Sequence, residues 1–344
     1  MGASRRHLTR RRSTPARSRS RHPISSPCWT TRLPGGNSVI TIVDPASRSV
    51  VGQVTAGYSP WVRLRPSANQ LLVSQVLGPQ REGPALLVFD LSDLASPPVV
   101  IPLPERAGYH VNNPSSMQLS GNERFLFHQE VATRCPGRGP CDYSRFAVID
   151  LDAGLQVATA VMETTCGVLT PMTVDSVLAA CGYPVSTLHE ISSDGSTREM
   201  GTLPARDAGI LAIGITGSGE PHAVYMDGAV VTTQGALPLV DLLPPGQQAG
   251  FNTATRVPGD RLLFAFGEGE PPYSGLAVVD ARDPATFQTF TLPVPARHVG
   301  VLDHQRALLL AEDGATLVVL DLATGQVAPA TVTLPQMGRW LVGY

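Results

Sequence analysis

Lysine is absent from this chain; all 26 basic residues are arginine. That excludes a Schiff-base amine, a phosphate-loop lysine and a lysine general base together. A codon bias towards Arg, Ala, Gly, Pro and Val is the plain explanation. Charge of either sign is scarce, at 16% of 344 residues, and the formal net charge is only −2. Nucleic acid and anionic membranes both call for a strongly basic surface, so neither is an expected partner. The arginines are unevenly spread. Nine lie within the first 32 residues, leaving 17 against 28 Asp and Glu, so the remaining body carries 17 − 28 = −11. Long apolar runs are also missing, and no segment approaches the roughly 18 apolar residues that span a bilayer. The stretch from Met1 to about Pro23 alternates Arg with Ser, Thr and His and lacks the apolar core of a signal peptide. We read residues 1–26 as a disordered, arginine-rich leader outside the folded unit. Gly-x-Ser-x-Gly, His-Glu-x-x-His, Walker and dinucleotide-binding patterns are absent, so no catalytic residue, cofactor or metal is assigned.

What the chain has in quantity is turn formers, 33 Gly and 31 Pro, beside 42% hydrophobic residues. Many short strands joined by tight turns follow from that mixture. Two signals recur. The first is an apolar strand ending in Asp: Val39 to Asp44 (VITIVD), Leu86 to Asp90 (LLVFD), Phe146 to Asp150 (FAVID), Leu276 to Asp280 (LAVVD) and Thr316 to Asp321 (TLVVLD). The Asp is expected to accept backbone N–H groups in the following turn. The second is a strand end followed by a short loop, a Gly and an apolar entry. It is found at Val54 to Pro60, Leu103 to Tyr109, Thr165 to Val168, Leu203 to Ile210, Leu243 to Phe251, Leu292 to Gly300 and Leu334 to Trp340. Seven such junctions, roughly 40 to 50 residues apart, predict four-stranded blades, with strands a to d running outwards from a channel. The expected fold is therefore all-β: a seven-bladed β-propeller over residues 27–344. The chain's last strand, Arg339 to Tyr344, reads as strand a alone. Its missing companions are Cys28 to Arg32, Val39 to Asp44 and Val50 to Thr55, so the N-terminal strands should pair with the C-terminal strand and close the ring.

The segment Ser38 to Ser74, SVITIVDPASRSVVGQVTAGYSPWVRLRPSANQLLVS, resembles the YVTN-type (YncE-like) propeller repeat, and ATLVVLDLATGQV at Ala315 to Val327 resembles it again. Where that family usually has Pro-Asp-Gly in the a-to-b turn, this chain has Pro66-Ser67-Ala68-Asn69, Leu119-Ser120-Gly121-Asn122 or Val257-Pro258-Gly259-Asp260. The resemblance implies the fold and a frequent extracytoplasmic location. It implies no reaction, since such propellers serve in adhesion, in scaffolding, and in lactonases and quinone-linked amine dehydrogenases.

Of five cysteines, Cys135 and Cys141 bracket a loop that a disulfide would close, and pairing of antiparallel neighbours could bring Cys166 and Cys181 within bridging reach. Either bridge would indicate an oxidising compartment, so the expected location is periplasmic, secreted or cell-surface, although the leader offers no route there. The histidines are scattered, and His110 and His298 fall at entries to channel-lining strands. Tyr58, Trp61, Tyr109, His110, Phe251, Arg297, His298, Arg339 and Trp340 recur at one phase of the repeat and are expected around one mouth of the channel. Aromatic and Arg side chains are favoured binding anchors, though the same residues can simply pack between blades. The expected function is a monomeric, non-enzymatic binding or scaffold propeller, with a protein or small molecule at that mouth. The alternative is a lactonase-like hydrolase or an amine-dehydrogenase heavy-chain-like subunit using the same mouth.

Overall fold

The computed structural model describes residues 28–32, 38–44, 49–57, 60–75, 83–103, 109–110, 117–132, 144–235, 240–250, 255–257, 260–269, 271–333 and 340–342. Among them there is no α-helix, only one 3-10 turn at Pro66–Ala68, and no helix long and apolar enough to cross a membrane. Among the described residues every strand pair is antiparallel, and within each sheet most neighbours are consecutive in the chain. The first sheet runs Trp61–Arg65, Gln70–Gln75, Ala85–Asp90, Val99–Pro102. In the second, Met117–Leu119 and Tyr109–His110 both pair with Phe125–Ala132, followed by Ser144–Asp150 and Leu155–Met162. The third contains Cys166–Pro171, Ser176–Cys181, Thr187–Ser192 and Thr197–Thr202. The fourth contains Ile210–Ile215, Pro221–Tyr225, Ala229–Thr232 and Val240–Asp241.

The closing sheet joins the chain ends, in the order Trp340–Val342, Cys28–Arg32, Ser38–Asp44, Ser49–Ala56. Cys28 is opposite Val342, and Thr30 opposite Trp340, so the two chain ends pair as the strand pattern predicts. The Asp-ended strands also behave as expected. Asp90 Oδ1 accepts Ser92 N–H at 2.8 Å, Asp280 Oδ1 accepts Arg282 N–H at 2.8 Å, and Asp321 Oδ1 accepts Thr324 N–H at 2.8 Å. Each carboxylate thereby satisfies turn donors that no ladder reaches.

The count of blades differs from expectation. Five sheets are discrete blades, and the remaining strands form one eight-stranded sheet: Gln248–Ala249 and Thr255–Val257 against Arg261–Gly267, then Tyr273–Asp280, Phe287–Val301, Arg306–Ala311, Thr316–Asp321 and Val327–Thr333. The junction predicted at Leu292 to Gly300 does not turn. Leu292 and Val294 each precede a proline, which biases them towards extended backbone, and Gly300 comes too late to break the strand. One 15-residue strand therefore pairs with Tyr273–Asp280 through its first half and with Arg306–Ala311 through its second.

Packing is between sheets rather than under one. Leu72, Leu86 and Ile101 of the first sheet meet Met117, Leu126 and Ile149 of the second, all at most 2% exposed. Phe127 and Phe146 meet Val177 and Ile191 of the third sheet. Leu178 and Leu188 meet Ile213 and Ala223 of the fourth, whose Val224 and Val230 meet Phe264 and Ala277. Within the eight-stranded sheet, Leu263 and Leu276 pack on Val301, Leu309 and Leu320, so that sheet folds back upon itself. Val43 caps a cluster with Leu308 and Leu317, and Ile40 and Ile42 pack on Leu71 and Val73. These contacts lead from each sheet to the next and back to the first. Apolar positions on both faces of a strand suit such radial stacking. The sheets define a β-propeller.

Candidate functional site

In each meander the d-to-a junction and the b-to-c turn fall at the same end of the sheet, because antiparallel strands reverse direction at every turn. The aromatic and Arg residues singled out in the sequence are expected at that end. Trp61 opens the inner strand of the first sheet and packs, half-buried, on the core between the first and second sheets. Tyr109 and His110 pair with Ala132 and Val131, and Trp340 pairs with Thr30. Arg297 donates through Nε to the carbonyl of Glu312 at 2.7 Å, and His298 lies opposite Leu310. Tyr58, Phe251 and Arg339 lie outside the described residues, as do Cys135 and Cys141.

The junctions at this mouth are held by buried amides. Gln75 accepts Gly57 N–H through Oε1 at 2.9 Å, and Ser144 Oγ accepts Cys166 N–H at 2.8 Å. Gln129 donates both to Ser144 Oγ at 3.0 Å and to the Cys166 carbonyl. Cys166 and Cys181 form a disulfide, as their spacing predicts, because they are directly opposed across the inner strand pair of the third sheet.

Beside that disulfide is a cleft of about 110 Å³ between the third and fourth sheets. Its lining includes Val168, Ala180 and Ile210, Tyr183 and Pro184 of the third sheet's b-to-c turn, and Arg206 and Tyr225. The b-to-c turn that supplies Tyr183 is braced by Ser186 Oγ, which donates to the Gly182 carbonyl at 2.8 Å. Tyr183 is 72% exposed, so the rim is an accessible ring. Arg206 lies over the Tyr225 ring at 5.3 Å and pairs with Asp227 at 2.5 Å. Its Nε is buried and, among the described residues, has no hydrogen-bond partner. Burial raises the Tyr225 phenol, Arg206 pulls it back and Asp227 adds to the rise, so the phenol stays protonated, and it donates to the Pro204 carbonyl at 3.5 Å. The cleft thus combines apolar Val168, Ala180 and Ile210, the two aromatic residues Tyr183 and Tyr225, and Arg206. Sequence reading missed Tyr183, Arg206 and Tyr225, although Arg206 sits inside the Leu203 to Ile210 junction that the repeat revealed.

A serine and a histidine do meet elsewhere. Ser74 Oγ and His128 Nε2 are 2.6 Å apart, but both residues are 1% exposed and lie between the first and second sheets. Sealed from water, this pair fastens two sheets together and offers no route to a substrate. Among the described residues no group of His, Cys, Asp and Glu is arranged to hold a metal.

The likeness to solved structures agrees with the class. The chain resembles the β-propeller domain of Myceliophteria thermophila Cps50 (Swd1), with a TM-score of 0.56 and 15% identity over 84% of this chain and 90% of that one. It resembles the dihydro-heme d1 dehydrogenase NirN, with a TM-score of 0.55 and 14% identity over 95% of this chain and 77% of that one. It also resembles a puromycin-hydrolyzing peptidase of Mycobacterium tuberculosis, with a TM-score of 0.54 and 15% identity, covering 55% of that chain. No protein-family model and no curated protein matches the sequence, so the fold is shown without the YVTN-type family. Proteins with unrelated chemistries share this architecture, and fold alone assigns no activity.

Proposed function

We propose that this protein is a binding propeller, of YVTN-like type, that holds a partner protein at its d-to-a mouth by taking one side chain into the cleft between the third and fourth sheets. The observation that carries the reading is Arg206, laid over the Tyr225 ring in the lining of a cleft that also contains Val168, Ala180 and Ile210. Cleft size supports a partner side chain over a whole cofactor. About 110 Å³ is below the roughly 300 Å³ at which small-molecule pockets begin, yet of the order that holds a single ring. The mouth residues Tyr58, Trp61, Tyr109, His110, Phe251, Arg297, His298, Arg339 and Trp340 would form the surrounding contact surface.

In this reading the eight-stranded sheet serves as two blades sharing Phe287–Val301, which makes seven with the other five. Its fold-back, with Leu263 and Leu276 against Val301 and Leu309, supports that division. The Cys166–Cys181 bridge supports maturation in an oxidising, extracytoplasmic compartment. Residues 1–26 would then lie outside the functional unit, and the propeller would act as a monomer.

Selection of displayed peptides on the immobilised native protein tests this reading. Peptides with an aromatic or aliphatic residue beside a hydrogen-bond acceptor should be enriched. Arg206→Gln and Tyr183→Ala should each weaken them about tenfold, the effect of losing one good anchor. Enrichment of no peptide, or binding by both variants as tight as by the native protein, refutes it.

A further inference from the structure

Strands at the inner edge of the sheets carry charge of one sign: Trp61–Arg65, Met117–Leu119, Cys166–Pro171, Ile210–Ile215, Thr255–Val257 and Trp340–Val342 contain Arg63, Arg65 and Arg256, and no Asp or Glu. This occurs in a body where acidic residues outnumber arginines by 28 to 17.

Arg63 is an inner-edge cation with no carboxylate at ion-pair distance among the described residues. Arg65, two residues on and facing the same neighbour, is neutralised by Asp152 at 2.6 Å. Arg63 instead donates through Nη2 to Oε1 of Gln118, at 2.6 Å on the next inner strand. That is its one hydrogen bond among the described residues, and no described carboxylate lies within ion-pair distance of it. Gln118 is held in turn, since its Nε2 donates to the Leu119 carbonyl at 3.2 Å. The guanidinium is therefore fixed in plane on one side, with most of its five donors uncommitted. It is half-buried and keeps some contact with water. Burial lowers its pKa to about 10 and Glu123 draws it partly back, so it remains charged at neutral pH. Glu123 itself is engaged, accepting Ser67 N–H at 2.8 Å. A cation half-removed from water beside a neutral amide is costly, and an anion delivered to its free edge relieves that cost.

We propose that the inner wall at Arg63 and Gln118 binds a small oxyanion, a carboxylate or phosphoryl group, through the free edge of the Arg63 guanidinium. Such groups match the planar fork of a guanidinium with two parallel hydrogen bonds. This place lies between the first and second sheets, apart from the cleft at Arg206, so it stands or falls independently of the partner site.

Isothermal titration of the native protein with inorganic phosphate and with succinate, against chloride at matched ionic strength, tests the proposal. At least one oxyanion should bind more tightly than chloride, and which one does identifies phosphoryl or carboxylate as the group taken. Arg63→Gln should weaken it by roughly tenfold or more, the result of losing a charge-assisted hydrogen bond. Arg63→Lys keeps the charge without the fork and should fall between the two. Should neither oxyanion exceed chloride, or should Arg63→Lys bind as the native protein does, the assignment is overturned. The native arm decides the matter even if Arg63→Gln fails to fold.

Discussion

Mild acid should loosen this protein through one imidazole. His128 is 1% exposed, its Nε2 meets Ser74 Oγ at 2.6 Å, and its Nδ1 is buried with no partner among the described residues. Burial lowers its pKa from 6.5 to about 4, opposed only by a backbone hydrogen bond. The folded state thus prefers the neutral ring, while the unfolded chain takes up a proton at the ordinary value. Stability from this group is complete above pH 6.5, declines as pH falls towards about 4, and is level below that. A shift of that span corresponds to about 3 kcal/mol, a large part of a typical margin of 5–15 kcal/mol. Carboxylates act in a lower window. Asp150 is held below its ordinary 3.8 chiefly by its hydrogen bond from Arg124, so its contribution persists above that value and is lost only beneath it. His189 is also lowered by burial and works in the same direction as His128, so the comparison needs a variant. Urea unfolding of the native protein and of His128→Gln at pH 7 and pH 4.5 supplies it. The native protein should lose about 2 to 3 kcal/mol more than the variant over that interval. Parallel losses in both proteins would refute the reasoning.

Two further outcomes follow from the ring and its bridge. Truncation after Gly338 removes Trp340–Val342 and leaves Cys28–Arg32 as an open sheet edge; thermal unfolding by circular dichroism should occur well below the native midpoint, with light scattering from aggregates. An unchanged midpoint would show that the closing pair bears no weight. Reducing Cys166–Cys181, which are 15 residues apart, should lower stability by about 3 kcal/mol on the chain-entropy account. Equal urea midpoints with and without reductant would exclude that, and thiol titration of the native protein should find both sulfurs unreactive.

The parts of the fold legible in the sequence were those written in local chemistry. Asp90, Asp280 and Asp321 could be placed because each bonds to residues two or three positions on. Cys28–Arg32 could be paired with the last strand because a four-strand period left one sheet short. The continuous strand Phe287–Val301 was misjudged because Leu-Pro marks a strand end at other junctions, whereas here Pro293 and Pro295 hold the chain straight. The cleft was invisible for a different reason. Tyr183, Arg206 and Tyr225 come from a turn, a junction and a strand end of two sheets, and no fixed spacing relates them. Ser74 and His128 are likewise separated by 54 residues and are joined only by how neighbouring sheets stack. Arg63 drew no notice because an arginine on a short strand means little until its partner proves to be Gln118.

The clasp between the chain's ends also dictates when this molecule can be finished. Cys28–Arg32 leaves the ribosome early, but its second neighbour, Trp340–Val342, is made some three hundred residues later. Until then the strand offers a bare row of amide groups, and a newly made copy nearby carries the same matching segment. Assembly is therefore a contest between self-closure and exchange with another molecule, and dilute, slow synthesis favours the single ring.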